Sequence, residues 1–148
     1  GRRAPENCGK QNHQNHKKGY PVPLPEPDQT LIGPCDAEDV AKAFFLAVLE
    51  SQKAADEIFN VGSAYAITSL NFVQTYEKIY GVKIPIQWYS WQEYCTKINP
   101  DPGANFHFKA HMCPDIRKIS QKLGYKPSYT PEETMERAVL WMKQQVLI

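Results

Sequence analysis

Apolar residues recur at helical spacing over positions 36–50, and the rest of the pattern is arranged around that stretch. Val40, Phe44, Ala47 and Val48 share one face, and Phe45, Leu46 and Leu49 widen it. Asp36 is placed to cap the first turn, and Glu38 and Asp39 put negative charge at the positive end of the helix dipole. Only Lys42, Glu50 and the acidic first turn are left to look toward water. So broad an apolar surface needs a cover, most simply a sheet. Glu57-Ile58-Phe59-Asn60-Val61, ended by Gly62-Ser63, reads as a strand directly afterwards.

The pattern continues with a helix capped by Thr68-Ser69 and running to Tyr80, with Gly81 just past its end and Leu70, Val73, Tyr76 and Ile79 or Tyr80 as its buried stripe. Before the first helix, Tyr20-Pro21-Val22-Pro23-Leu24-Pro25-Glu26-Pro27 alternates prolines, which rules out a central strand and favours an extended edge or surface linker. Ile84 to Tyr89 reads as another short extended segment, with Pro85 again arguing for an edge. Ser90 is placed to cap a short helix through Tyr94 and Ile98, and Asn99-Pro100-Asp101-Pro102-Gly103 breaks the chain. A helix opens at Pro114-Asp115-Ile116-Arg117-Lys118, buries Ile116, Ile119 and Leu123, and stops at Gly124. Thr130-Pro131-Glu132-Glu133 is a capping box that starts a final amphipathic helix carrying Met135, Val139, Met142 and Val146.

Asn105 to Cys113 alternates cleanly and reads as a strand: Phe106, Phe108, Ala110 and Met112 on one side, His107, Lys109 and His111 on the other. A cation between two histidines repels a divalent metal, so this polar row suits an anion such as a phosphate or carboxylate; a solvated strand face is the competing reading. Trp88, Tyr89 and Trp91 crowd three large aromatics into four residues, a pattern that closes a core or provides a stacking wall for a ligand. The candidate substrate-binding residues are therefore Trp88, Tyr89, His107, Lys109 and His111.

Composition narrows the classes. The 148 residues are 42% hydrophobic and 22% charged, with 17 basic against 16 acidic residues, so there is no general reason to expect nucleic acid or a membrane surface as partner. The charge is uneven. Residues 1–19 hold Arg2, Arg3, Lys10, Lys17 and Lys18 against Glu6 alone, lack apolar periodicity, and read as a basic polar lead-in expected to be disordered; residues 20–148 read as one partial domain. His13 and His16 near Cys8 make a poor metal set without a helix around them. Cys8, Cys35, Cys95 and Cys113 show no paired spacing and read as reduced, buried thiols. With no secretory pattern and no apolar run long enough for a bilayer, a cytoplasmic chain is the expectation.

Familiar catalytic chemistry is absent. The eight glycines form no Gly-x-Gly-x-x-Gly turn, and there is no phosphate loop, no Gly-x-Ser-x-Gly, no His-Glu-x-x-His and no Tyr followed by Lys four positions later. No residue stands out as a catalytic group.

The order of short motifs nevertheless resembles the C-terminal part of the extended short-chain dehydrogenases, the NAD-dependent epimerase/dehydratase family. Gly19-Tyr20-Pro21-Val22-Pro23-Leu24-Pro25 is similar to the family's small-residue, Pro-hydrophobic-Pro segment. Asp36-Ala37-Glu38-Asp39-Val40-Ala41 stands where the family usually has His-Val-Asp-Asp-Val-Ala, and Ile58-Phe59-Asn60-Val61-Gly62 is similar to its Phe-Asn-Val-Gly strand. Asp115-Ile116-Arg117-Lys118, Leu123-Gly124-Tyr125-Lys126-Pro127 and Thr130-Pro131-Glu132-Glu133 follow in the family's order, so the likeness spans residues 19–146.

The resemblance implies an α/β fold: the C-terminal part of a Rossmann-type NAD(P)-binding fold with its small mixed α/β substrate-binding lobe. A full member carries a glycine-rich loop and a Tyr-x-x-x-Lys pair upstream, and both are expected before Gly1. On that reading NAD or NADP serves the full-length protein, none binds this chain alone, and the isolated chain is inactive. The implied substrate is a small molecule of the sugar or nucleotide-sugar type. Asp36 departs from the usual His, and Ile32 stands where many nucleotide-sugar members carry Arg, which argues against a diphosphate-sugar. The alternative is a non-catalytic binding module of the same fold, with RNA or protein as partner. Part of the first helix's apolar face is then expected to be exposed or paired with a second copy.

Overall fold

The computed structural model describes residues 18–27, 30–101, 103 and 105–145, position 107 in its backbone alone. The elements in chain order are β1 (Val22–Glu26), β2 (Leu31–Ile32), α1 (Ala37–Leu49), the single turn α2 (Ser51–Ala54), β3 (Ile67–Thr68), α3 (Ser69–Tyr80) and β4 (Ile86–Ser90). There follow the short α4 (Trp91–Glu93), a π-helical turn (Tyr94–Ile98), the single turn α5 (Phe106–Lys109), α6 (Arg117–Leu123) and α7 (Pro131–Gln144).

Two small sheets form. β1 and β4 run parallel, with Val22 opposite Ile86 and Leu24 opposite Trp88. β2 and β3 are antiparallel, with Ile32 opposite Ile67, and Ile32 also bridges in parallel to Met112. The edge reading of the proline-rich segment holds, for a geometric reason. Val22 donates its N–H to Pro85 O at 2.8 Å, so Val22, Leu24 and Glu26 face β4 while Pro23 and Pro25 turn their missing N–H groups to the open side.

The helices follow their caps. Asp36 accepts from the Glu38 N–H, Thr68 from the Asn71 N–H, and Ser90 from the Glu93 N–H; Thr130 and Glu133 form the full capping box. Gly81 and Gly124 close α3 and α6 in the left-handed conformation. One core gathers Leu24, Ile67, Val73, Tyr76, Ile84, Met135 and Val139, packing α3 and α7 beneath the strands. A second gathers Ala43, Ile119, Leu123 and Tyr125, joined by Leu46, Ala47, Phe59 and Val61.

The structure corrects the pattern-based reading in five places. Residues 57–61 form no strand among the described residues: Phe59 and Val61 pack inward, but no neighbouring strand supplies a ladder. Residues 106–109 form a helical turn rather than a strand, because Asn105 and its neighbours close i to i+4 bonds such as Ala110 N–H to Phe106 O. On α1 the packed positions are Ala43, Leu46 and Ala47, whereas Phe44, Phe45, Val48 and Leu49 are exposed, Val48 by 74%. The acidic first turn, read as facing water, is partly buried: Asp39 is 2% exposed and accepts from the N–H groups of Ser128 and Tyr129. The exposed apolar face itself is as expected. Cys113 is exposed rather than buried, while Cys35 and Cys95 are half-buried. The lead-in up to Lys17, with Cys8, His13 and His16, and Val146 lie outside the described residues.

Candidate functional site

The main cavity has a volume of about 1020 Å³ and is walled by β1, the segment 32–34, the first turns of α3, the π-helical turn, α5 and residues 111–114. Each wall has a local cause. Gly33 donates to Met112 O at 3.0 Å and Met112 donates to Leu31 O at 2.6 Å, so the two segments lie side by side and form one lip. β1 presents Val22 and Leu24, and α3 presents Phe72 and Val73. Tyr94 and Phe108 meet edge-on with centroids 5.2 Å apart, closing the far end.

Among its described lining residues the cavity has no Lys, Arg, Asp or Glu. Its polar lining residues are few: Ser69, Asn99, His111, Cys113 and Tyr94. Burial pushes the Tyr94 phenol above its ordinary value, with a smaller opposing contribution from a hydrogen bond to Asn99, so it stays protonated at neutral pH. His111 Nδ1 accepts the Leu31 N–H at 3.1 Å; in the neutral ring the proton therefore sits on Nε2, which is the nitrogen left to a ligand. A largely apolar cavity of this size with a few convergent polar groups is suited to binding a small molecule.

Of the residues proposed from sequence, His111 lines this cavity, Trp88, Tyr89 and Lys109 do not, and the side chain of His107 lies outside what the structure describes. Trp88 and Tyr89 are consecutive on β4, so their side chains leave opposite faces of the strand, and neither is in the lining. Lys109 is exposed and outside the lining. Position 107 shares the α5 backbone with Lys109, and a helical backbone does not align positions two apart as a strand would. The row His107, Lys109, His111 is therefore not one face. Tyr94, Phe108, Phe72 and Asn99 were the residues missed. Phe108 stood in the apolar half of the alternating stretch, while Tyr94 and Asn99 read only as a helix and its breaker.

The fit to a dinucleotide is poor. Helix starts can bind pyrophosphate through open N–H groups, but the described longer helices close theirs with Asp36, Thr68 and Thr130, the first an anion. No group of three or more metal-ligating side chains occurs among the described residues.

No protein-family model matches the chain. Among curated proteins it is similar to dTDP-glucose 4,6-dehydratase of Salmonella typhimurium, 28% identical over 127 residues, which is 86% of this chain and 33% of that protein. The chain thus spans about one third of the relative's length. Among solved structures it resembles UDP-glucose 4-epimerase of Thermotoga maritima, with a TM-score of 0.65, 20% identity, and coverage of 90% of this chain and 38% of that one. It resembles UDP-glucuronic acid 4-epimerase of Bacillus cereus, solved with NAD, with a TM-score of 0.69, 16% identity, and coverage of 97% and 41%. An epimerase of Methanothermobacter thermautotrophicus gives 0.70 at 14% identity, with coverage of 93% and 38%. With its mixed α/β layout and parallel β1–β4 pair, the chain has the fold of the C-terminal part of these Rossmann-type epimerase and dehydratase structures.

Proposed function

We propose that this chain is the substrate-holding portion of an NAD(P)-dependent oxidoreductase of the epimerase/dehydratase type. The observation that carries the reading is the cavity at the junction of β1 and the 32–34 and 111–114 segments, in a stretch that aligns with a nucleotide-sugar dehydratase. By likeness to those relatives the substrate is of the sugar or nucleotide-sugar type, bound as a small molecule. The groups that would exchange hydride and proton are not in this sequence: it has neither a glycine-rich turn nor a Tyr-x-x-x-Lys pair. The isolated chain is accordingly a binding unit without turnover, and NAD or NADP is held by other parts of the full-length protein.

Calorimetric titration of the 148-residue chain with NAD(H) tests this. No tight stoichiometric binding is expected; a tight stoichiometric complex would sink the division of labour proposed here. The non-catalytic alternative with RNA drew on the basic residues of 1–19 and on the His107, Lys109, His111 row; the α5 backbone does not align that row as a strand would.

A further inference from the structure

We infer that His111 holds the substrate through its Nε2–H, a donor fixed in place by the Leu31 main chain and offered to a hydroxyl or carbonyl oxygen. This rests on the reading of the cavity as the substrate site and names a contact made there. The starting point is a hydrogen bond whose polarity is not in question. The Leu31 N–H meets His111 Nδ1 at 3.1 Å, and a backbone amide can only donate. Nδ1 is therefore an acceptor, and the neutral ring carries its proton on Nε2.

The ring is also held as a member of a ladder. Ile32 and Met112 bridge in parallel, with Met112 donating to Leu31 O at 2.6 Å and Gly33 donating to Met112 O at 3.0 Å. Continued by one step, a parallel ladder would give the Leu31 N–H to the carbonyl of residue 110. The His111 ring takes that place. On its other side β2 is secured to β3 by the pairing of Leu31 with Thr68 and of Ile32 with Ile67. One nitrogen of an exposed side chain is thus tied to the sheet, while the residue lines the cavity beside Met112 and Cys113. A donor held in advance loses little freedom when an oxygen meets it, so more of the bond appears as affinity. Sugars and nucleotide-sugars offer such oxygens as hydroxyls and as carbonyls of the base.

Two measurements on the 148-residue chain test this. The first reads the tautomer without any ligand, by a long-range proton–nitrogen correlation spectrum at a pH where the imidazoles are neutral. The His111 signals are identified by their loss in His111→Asn. An Nε2–H ring is expected, and an Nδ1–H ring overturns the inference. The second titrates dTDP-glucose and UDP-glucose by calorimetry into the parent, His111→Asn and His111→Gln. The Asn side chain keeps an acceptor near the Nδ1 position for Leu31 and has nothing at Nε2, whereas the Gln amide reaches the Nε2 position. His111→Asn should weaken the tighter-binding sugar nucleotide about fivefold, the size of one neutral hydrogen bond, and His111→Gln should recover most of that loss. A role confined to holding the lip predicts the reverse order, so an Asn variant that binds like the parent overturns the inference. Should the variants fail to fold by circular dichroism, the parent alone decides: its His111 Nε2 resonance should move on saturation with the sugar nucleotide, and an unmoved resonance overturns the contact. Saturation by neither sugar nucleotide would count against the functional reading itself, so the two failures are distinguishable.

Discussion

Arg137 donates from Nε to Oδ2 of Asp36 at 2.8 Å, tying the start of α1 to the middle of α7 across 101 positions of sequence. The same guanidinium reaches Glu38 Oε1 at 2.8 Å and lies 3.9 Å over the ring of Tyr129, whose hydroxyl donates to Glu38. Asp36 is only 7% exposed and also caps α1, so one carboxylate both starts a helix and receives a cation from another. Removing Arg137 would leave that carboxylate nearly buried and unpaired. Arg137→Met should lower stability by about 1–3 kcal/mol, the range for hydrogen bonds to charged groups, and Arg137→Lys should recover only part. In urea unfolding, Asp36→Asn combined with Arg137→Met should cost less than the sum of the two; simple additivity would mean the pair is not coupled.

Asp39 performs a different task one turn on. Its two oxygens accept the Ser128 and Tyr129 N–H groups at 2.8 and 3.2 Å, pinning the approach to α7. Asp39→Ala strands both donors and is expected to cost about 2–4 kcal/mol, more than Asp39→Asn, which retains one acceptor. Equal midpoints for the two variants in thermal unfolding would refute this account.

Gly19 sits at φ +66°, and a Cβ there would stand 2.8 Å from Lys83 O. Neither the dihedral nor the backbone oxygen can yield easily. Gly19→Ala is expected to destabilise by about 1–2 kcal/mol, from the left-handed conformation alone, with the clash adding to it. A heat-denaturation midpoint equal to that of the parent would contradict the geometry.

Glu57 accepts from Lys118 and Lys122, and these partners draw its carboxyl down from 4.5 to about 2. A carboxylate whose folded value is depressed adds stability that is present above its unfolded value and is lost as pH falls toward the folded one. The contribution of Glu57 should thus fade between about pH 4.5 and 2. Glu57→Gln should flatten the acid limb of the stability curve in that window and leave neutral-pH folding intact; an unchanged limb would show the group contributes nothing. Asp115 is lowered from 3.8 to about 2 by Arg117, so the double variant Glu57→Gln and Asp115→Asn should flatten the lower part of that window further.

Local signals were the readable part of this chain. Asp36, Thr68 and Thr130 each announced a helix start, Gly81 and Gly124 announced stops, and the prolines of 21–27 announced an edge, because all act through backbone groups within a turn. What depended on distant partners was hidden. Ile58 reads as a strand residue from its type and its neighbours but is 86% exposed and unladdered, since pairing needs a partner that the local sequence does not record. Asp39 looked like a solvated acid because Ser128 and Tyr129 lie some ninety positions away. In the site, His111 was visible as a polar residue among aromatics, whereas Tyr94 and Phe108 join it only through folding of the 94–108 segment, where helix replaced the strand that the alternation predicted.

The prolines of β1 have a last consequence, for assembly. With Pro23 and Pro25 on its outer side, β1 cannot donate to an incoming strand there, while β4 keeps Ile86, Trp88 and Ser90 with intact amides on its own outer side. Among the described residues the sheet is therefore lopsided: a strand added beside β4 finds both donors and acceptors, whereas one added beside β1 finds acceptors alone at Pro23 and Pro25.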